Sequence, residues 1–310
     1  MASGSSNSTG RSGPGAALRR RLADAVTRLT SDAGQRIDYS APPGDPGLFG
    51  PESVCWRVHA DFTSMLTGGI AALLMQTLHP LALAGVWDHS RFREDLAGRL
   101  ARTATFISGT TFGPRADALA LIEKVRRIHR QVRGVALDGR AYAADDPELL
   151  RWVHVAETSS FLAAYLRYVE PDLPRSAQDR YYEETARIAE RLGATEVPRS
   201  VAAVQAYLDA VRPDLCADAR TREVVRVVLH APVPHWSAWP AGQALIAAGI
   251  DLLPDWAQAQ LGVSRHAWLR RALARPAVRV IAPVMRWSLR NGVAKRSRAR
   301  VAAGVVTPRD

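Results

Sequence analysis

The chain has 310 residues, 47% hydrophobic and 23% charged, which is enough to bury a large core and too apolar for wholesale disorder. Its two cysteines, Cys55 and Cys216, exclude a disulfide framework and lack the paired spacing of a zinc or iron–sulfur site, so a reducing, cytoplasmic setting is expected. The net charge of +11 is unevenly spread: residues 1–36 carry +4, residues 265–310 carry +11, and 37–264 carry −4. Basic charge gathered in terminal segments does not make a nucleic-acid face, and no nucleic-acid partner is expected.

In chain order, residues 1–16 are Ser/Gly-rich and read as a loose tail. Arg19-Arg20-Arg21 resembles an export signal, but the following LADAVTRLTSDAG has no apolar stretch, so export is rejected. Prolines 42, 43, 46 and 51 form a rigid entry, and a first helix starts near Pro51-Glu52. Residues 62–87 carry no formal charge and are long enough to span a bilayer, yet Gly68, Gly69, His79 and Pro80 interrupt them. A buried core helix that breaks at His79-Pro80 is the better reading.

Further helices are expected near 94–112, 115–133 with Gly134 as C-cap, 146–168 behind an Asp146-Pro147 start, 174–192 ended by Gly193, 198–211 and 218–230. Prolines 232, 234 and 240 mark a loop, 241–253 is apolar, and 264–300 forms one or two basic helices. No strand is expected. The fold class is all-α: residues 41–262 make one helical domain, 1–40 a loosely attached start, and 263–310 a basic helical arm.

Several chemistries lack their motifs. There is no G-x-x-x-x-G-K-[ST], G-x-G-x-x-G, H-E-x-x-H, Glu-x-x-His or G-x-S-x-G. Histidines are more informative. His129 falls on the apolar stripe Ile122, Val125, Val132, and His154 on the stripe Leu150, Val153, Glu157, Phe161. His79 sits at a helix break. Each could be a satisfied core histidine, because buried polar groups are usually paired. Three inward histidines without cysteine ligands also suit a haem or metal pocket in a helical scaffold. Arg99, Arg102 and Thr103 share one helix face, and an inward guanidinium needs an anionic or carbonyl partner. The alternative is a surface ion pair with Glu94 or Asp95.

Four blocks together carry a resemblance: ESVCWRVHADFTSMLTGGIAALLMQTLHPLALAGV, HSRFREDLAGRLARTATFISGTTFG, the A-x-x-x-I-x-x-V-R-R-I-H-x-x-V-R-G run, and DDPELLRWVHVAETSSFLAAY. Over roughly residues 45–255 the chain resembles the MpaB-type oxygenase family, which is related to the rubber-cleaving latex clearing proteins. The resemblance implies a globin-like helical core and a haem b whose iron is held by one histidine, here His129. It implies an Arg, then a basic residue and a Thr, matched by Arg99, Arg102 and Thr103, with Arg102 standing where the family has Lys. Thr158 is a looser match, and His154 joins the expected cofactor-binding set with Arg99, Arg102 and Thr158. The acidic residue that the rubber enzymes carry has no counterpart near TLHPLA, where His79 is the only titratable group.

The expected function is therefore oxygenation of a hydrophobic, isoprenoid-like substrate with dioxygen, using His79, Arg99 and Thr103 at the reacting end. Two alternatives stand beside it: a same-fold enzyme using His, Arg and Asp for acid–base chemistry without haem, and a non-catalytic haem or lipid binder. The arm 265–300, with eleven basic residues and two tryptophans, could rest on an anionic membrane. Pro276 and Pro283 are expected to break its helix, which favours arginines that are solvated or cover acidic parts of the body.

Overall fold

Helices begin in this chain where a short polar side chain can satisfy a free N–H. Ser53, Asp61, Asp95, Asp146, Ser200 and Asp218 each accept a backbone N–H in the first turn of the helix that follows. The computed structural model describes residues 36–231 and 239–304, together with Gly15, Arg19, Arg20, Ala23, Asp24 and Val26. Most of the expected loose start 1–40 and the loop at Pro232 and Pro234 lie outside the described residues.

The described residues form thirteen α-helices: α1 Val54–His59, α2 Phe62–Gln76, α3 Pro80–His89, α4 Leu96–Phe112, α5 Arg115–His129, α6 Pro147–Tyr168, α7 Arg175–Leu192, α8 Val201–Val211, α9 Ala219–Leu229, α10 Trp239–Leu252, α11 Asp255–Gln260, α12 Ala267–Ser288 and α13 Val293–Ala303. The expected all-α class holds. One hairpin departs from it: β1 Arg133–Val135 pairs antiparallel with β2 Ala141–Ala143. Its turn contains Asp138-Gly139, with Gly139 at φ +83, a strong hairpin signal that two three-residue strands are too short to advertise by alternation. That hairpin also takes Gly134 out of any helix cap, and α5 stops at His129.

Helix α2 is the axis of the fold. It lies along α6 on one side and α10 on another. A Cβ at Gly68 would meet the Phe161 Cα and the Ser160 carbonyl oxygen at 3.0 Å, and one at Gly249 would meet Ile70 at 2.6 Å. Two missing side chains therefore let three helices close on each other. The expected break is present: α2 and α3 meet at 104°. His79 caps α3 through Nδ1, which accepts the Ala82 N–H at 3.5 Å, and Pro80 takes the first helical position, where it displaces no hydrogen bond. No single helix among the described residues is long and apolar enough to cross a membrane, and the α2–α3 pair passes only jointly, by length and composition.

The basic arm folds onto the body. Helix α12 packs against α10 and α2. Arg271 and Arg275 both bridge Asp251, whose carboxylate is fully covered, and Arg286 bridges Asp61 at the start of α2. Contrary to expectation, α12 runs unbroken through Pro276 and Pro283. Both prolines are exposed, as are Ala272 and Arg279, whose carbonyls lose their donors, so water can replace the missing bonds. At the end of the chain, Arg300 is only 1% exposed and donates to the carbonyls of Asp45 (2.9 Å), Tyr39 (3.2 Å) and Phe112 (2.8 Å). It pins α13, the entry segment and the end of α4 at one point.

Candidate functional site

Helix α4 packs on α5 and leans on α1 and α13, while α2 packs on α6. The space left between these groups is a cavity of about 1070 Å³. That is the upper end of the range for ligand sites. Its walls are mainly apolar. Helix α2 contributes Phe62, Met65, Leu66, Ile70 and Leu73, α4 contributes Leu100, Ala104, Ile107 and Phe112, and α6 contributes Phe161. Residues 36, 37 and 39, the end of α12 and the first turns of α13 complete it. Among the described residues, six Arg and Lys side chains but only two carboxylates, Asp61 and Glu157, reach the lining, so this part of the cavity favours an anionic or carbonyl-bearing ligand. Asp61 is already engaged as the α2 cap and by Arg286.

Arg99 and Glu157 face the cavity from α4 and α6. Arg99 donates to the Ser90 hydroxyl at 3.1 Å. Burial pulls its guanidinium pKa down, repulsion from Arg102 adds to this, and Glu157 opposes it. Burial pushes the Glu157 carboxyl up to about 7, against the pull of Arg99. A carboxyl near neutrality beside a guanidinium in an apolar enclosure can hold or release a proton under ordinary conditions. Glu157 brings a carboxyl to the cavity from α6, whereas the stretch TLHPLA has none.

The predicted residues separate in space. Arg99 and Thr103 line the cavity. Thr103 sits at an exposed edge and donates to the Arg99 carbonyl at 3.2 Å. Arg102 turns outward, half-exposed, and pairs with Asp95 at 3.6 Å. The ion-pair alternative thus describes Arg102 and not Arg99. Thr158 donates to the His154 carbonyl one turn back, and His79 serves as the α3 cap beside Trp152. None of these three lines the large cavity.

His129 and His154 do not line it either, but each keeps a buried ring nitrogen with no hydrogen-bond partner, Nδ1 and Nε2 respectively. Burial lowers both pKa values, that of His154 to about 4, with Asp145 partly offsetting the shift at His129. Both rings are therefore neutral imidazoles with an available lone pair or N–H. His154 stands one turn before Glu157 on the same face of α6. Among the described residues the histidine that does line the cavity is His59, in the short helix α1, which is not among the histidines singled out from the sequence. Its Nδ1 is 2.9 Å from Thr111 Oγ1 and its Nε2 is 2.9 Å from the Tyr181 hydroxyl, so both nitrogens are engaged. No cluster of three metal-ligating side chains occurs among the described residues, as a porphyrin site with one protein ligand would not need one.

The family follows from a comparison made on the whole sequence. A family model described as ER-bound oxygenase mpaB/B′ and rubber oxygenase, catalytic domain, matches residues 56–287. The chain belongs to this family. It is a family of oxygenase catalytic domains, and the match runs from α1 to the last turn of α12, taking in the cavity walls from α1, α2, α4 and α6 but not the lining residues before 56 or after 287. No match was found among curated proteins or among solved structures. In volume and in its basic lining the cavity suits a haem and its propionates, but the two histidines that keep a free ring nitrogen, His129 and His154, stand outside the lining, and His59, which lines it, has both nitrogens engaged.

Proposed function

We propose that this MpaB-type oxygenase is haem b-dependent and acts with dioxygen on a hydrophobic substrate. The observation that carries the reading is the large, mainly apolar cavity with Arg99, Thr103 and Glu157 on its wall. His129 would hold the iron through its unpartnered nitrogen, which requires its ring, outside the cavity lining in this structure, to reach the cavity when haem binds; His154, one turn from the lining residue Glu157, is the second candidate. A bound haem would supply the activation of dioxygen. The chain's own residues would do the rest. The α2 wall binds an apolar chain, an isoprenoid for example, and excludes water. Arg99 anchors a propionate or polarises a substrate oxygen, and Glu157 holds the proton that such an oxygen gains or loses. Arg102, Thr158 and His79 act at a distance in this reading, through the placement of α4, α6 and α3.

The test is the absorption spectrum of protein expressed with ample haem. The wild type should show a Soret band, His129→Ala should lose it, and His154→Ala should keep it. The opposite pattern transfers the ligand role to His154. A wild type with no Soret band removes the haem. One observation favours a second reading: Glu157 near neutrality beside Arg99 is equipment for acid–base chemistry without a cofactor, and turnover by haem-free protein would establish that reading.

A further inference from the structure

Helix α12 is apolar on two opposite sides. Ala274, Val278 and Ala282 form its inner face and are buried against the body. Leu269, Leu273, Val280 and Val284 recur at helical spacing on the outer face and are left in solvent, Leu273 at 63% and Val280 at 72% exposure. Pro276 and Pro283 lie on the same outer side, where they add apolar surface without a donor to satisfy. Aliphatic side chains this exposed along one continuous stripe mark a surface made to be covered.

The border of the stripe is basic. Exposed arginines border it: Arg279 lies on one flank within the helix, and Arg265 and Arg290 stand just before and just after the helix. They differ from Arg271 and Arg275, which turn inward to Asp251. The arm's cations thus divide into a set neutralised by the body and a set left for something outside. A second copy of the chain is a poor occupant, because two such stripes laid antiparallel would bring the arginines at their ends and flanks together. A flat surface carrying both anionic groups and an apolar layer beneath them matches the stripe and its border at once.

We propose that the outer face of α12 docks the protein onto an anionic lipid membrane, with the helix lying in the plane of the interface. Arg286, Ser288 and Leu289, at the C-terminal end of α12, line the large cavity. Docking along α12 therefore sets a cavity wall beside the lipid, and an apolar substrate passes between them without crossing water. This last step rests on the oxygenase reading; the docking itself does not.

The experiment is sedimentation of the full chain with vesicles of phosphatidylcholine, with and without phosphatidylglycerol, at low and high salt. Wild-type protein should pellet with the anionic vesicles, and less so at high salt. The double variant Leu273→Glu/Val280→Glu should bind at least about tenfold more weakly, and Arg279→Glu/Arg290→Glu about tenfold more weakly on anionic vesicles only. Circular dichroism and the Soret band, if present, should be unchanged in both, which separates loss of docking from loss of fold or cofactor. Equal pelleting of wild type and both variants overturns the proposal. So does a wild type that does not pellet, or one that runs as a dimer which the Leu273→Glu/Val280→Glu change splits into monomers.

Discussion

At the scale of single residues, burial decides what each titratable group can do. Glu157 is raised to about 7 from an ordinary value of 4.5, so the native state holds a proton that the unfolded chain releases earlier. Its contribution to stability is present in full below pH 4.5 and is lost as pH rises to 7, by at most about 3 kcal/mol. His59 and His154 act with the opposite sign. Their values fall to about 3 and about 4, so they favour the native state more as pH rises towards 6.5. The difference between wild type and Glu157→Gln isolates the carboxyl: its melting temperature advantage should shrink as pH is raised from 5 to 7. A difference that stays flat over that interval would show the carboxyl to be hydrated. Some of this was legible in the sequence. Arg99 and Thr103 were recognised by spacing and do line the cavity. Arg102 was not distinguishable from Arg99, because the pairing with Asp95 depends on how the N-terminal turn of α4 is capped. Glu157 was read as a member of an apolar stripe; its neutral character depends on an enclosure that no local pattern reveals.

At the scale of elements, caps and prolines were the reliable signals. Asp146-Pro147 and Gly193 fix the ends of α6 and α7, and His79-Pro80 fixes the corner between α2 and α3. The hairpin at 133–143 was missed, and α12 was expected to break at prolines that its wet side accommodates. Close approach of helices was invisible as well, since a glycine within an apolar run looks like a weak helix former. Gly68→Ala tests this. In a free helix the change would help by about 1 kcal/mol, but here the new methyl meets the backbone of α6, and a net loss of about 1–2 kcal/mol is expected in denaturant titration. A neutral or stabilising result would mean that α2 and α6 can separate at little cost.

At the scale of the whole molecule, the cavity is a property of how two helix groups are held apart, and its chemistry follows from which faces they turn to the gap. Filling it should abolish ligand uptake and leave the fold standing. Ala104→Trp places a large ring on the α4 wall. Uptake of haem, followed by the Soret band, or of an apolar fluorophore should fall by about tenfold or more, with an unchanged circular dichroism spectrum. Retention of both signals would place the binding site elsewhere in the body.

Arg300 fastens one side of the enclosure, beside the packing of Val293, Ala294 and Val301 on Tyr39, Trp56 and Phe112. The guanidinium grips three carbonyls from the entry segment and from α4, and the Gly44 N–H returns a hydrogen bond to the Arg300 carbonyl at 2.8 Å. Beginning and end of the described chain are thus stitched together across one side of the chamber, although most of the recognised family domain stops short of that stitch. A version of the protein trimmed to the family boundary at residue 287 would keep its inner furniture and lose the door.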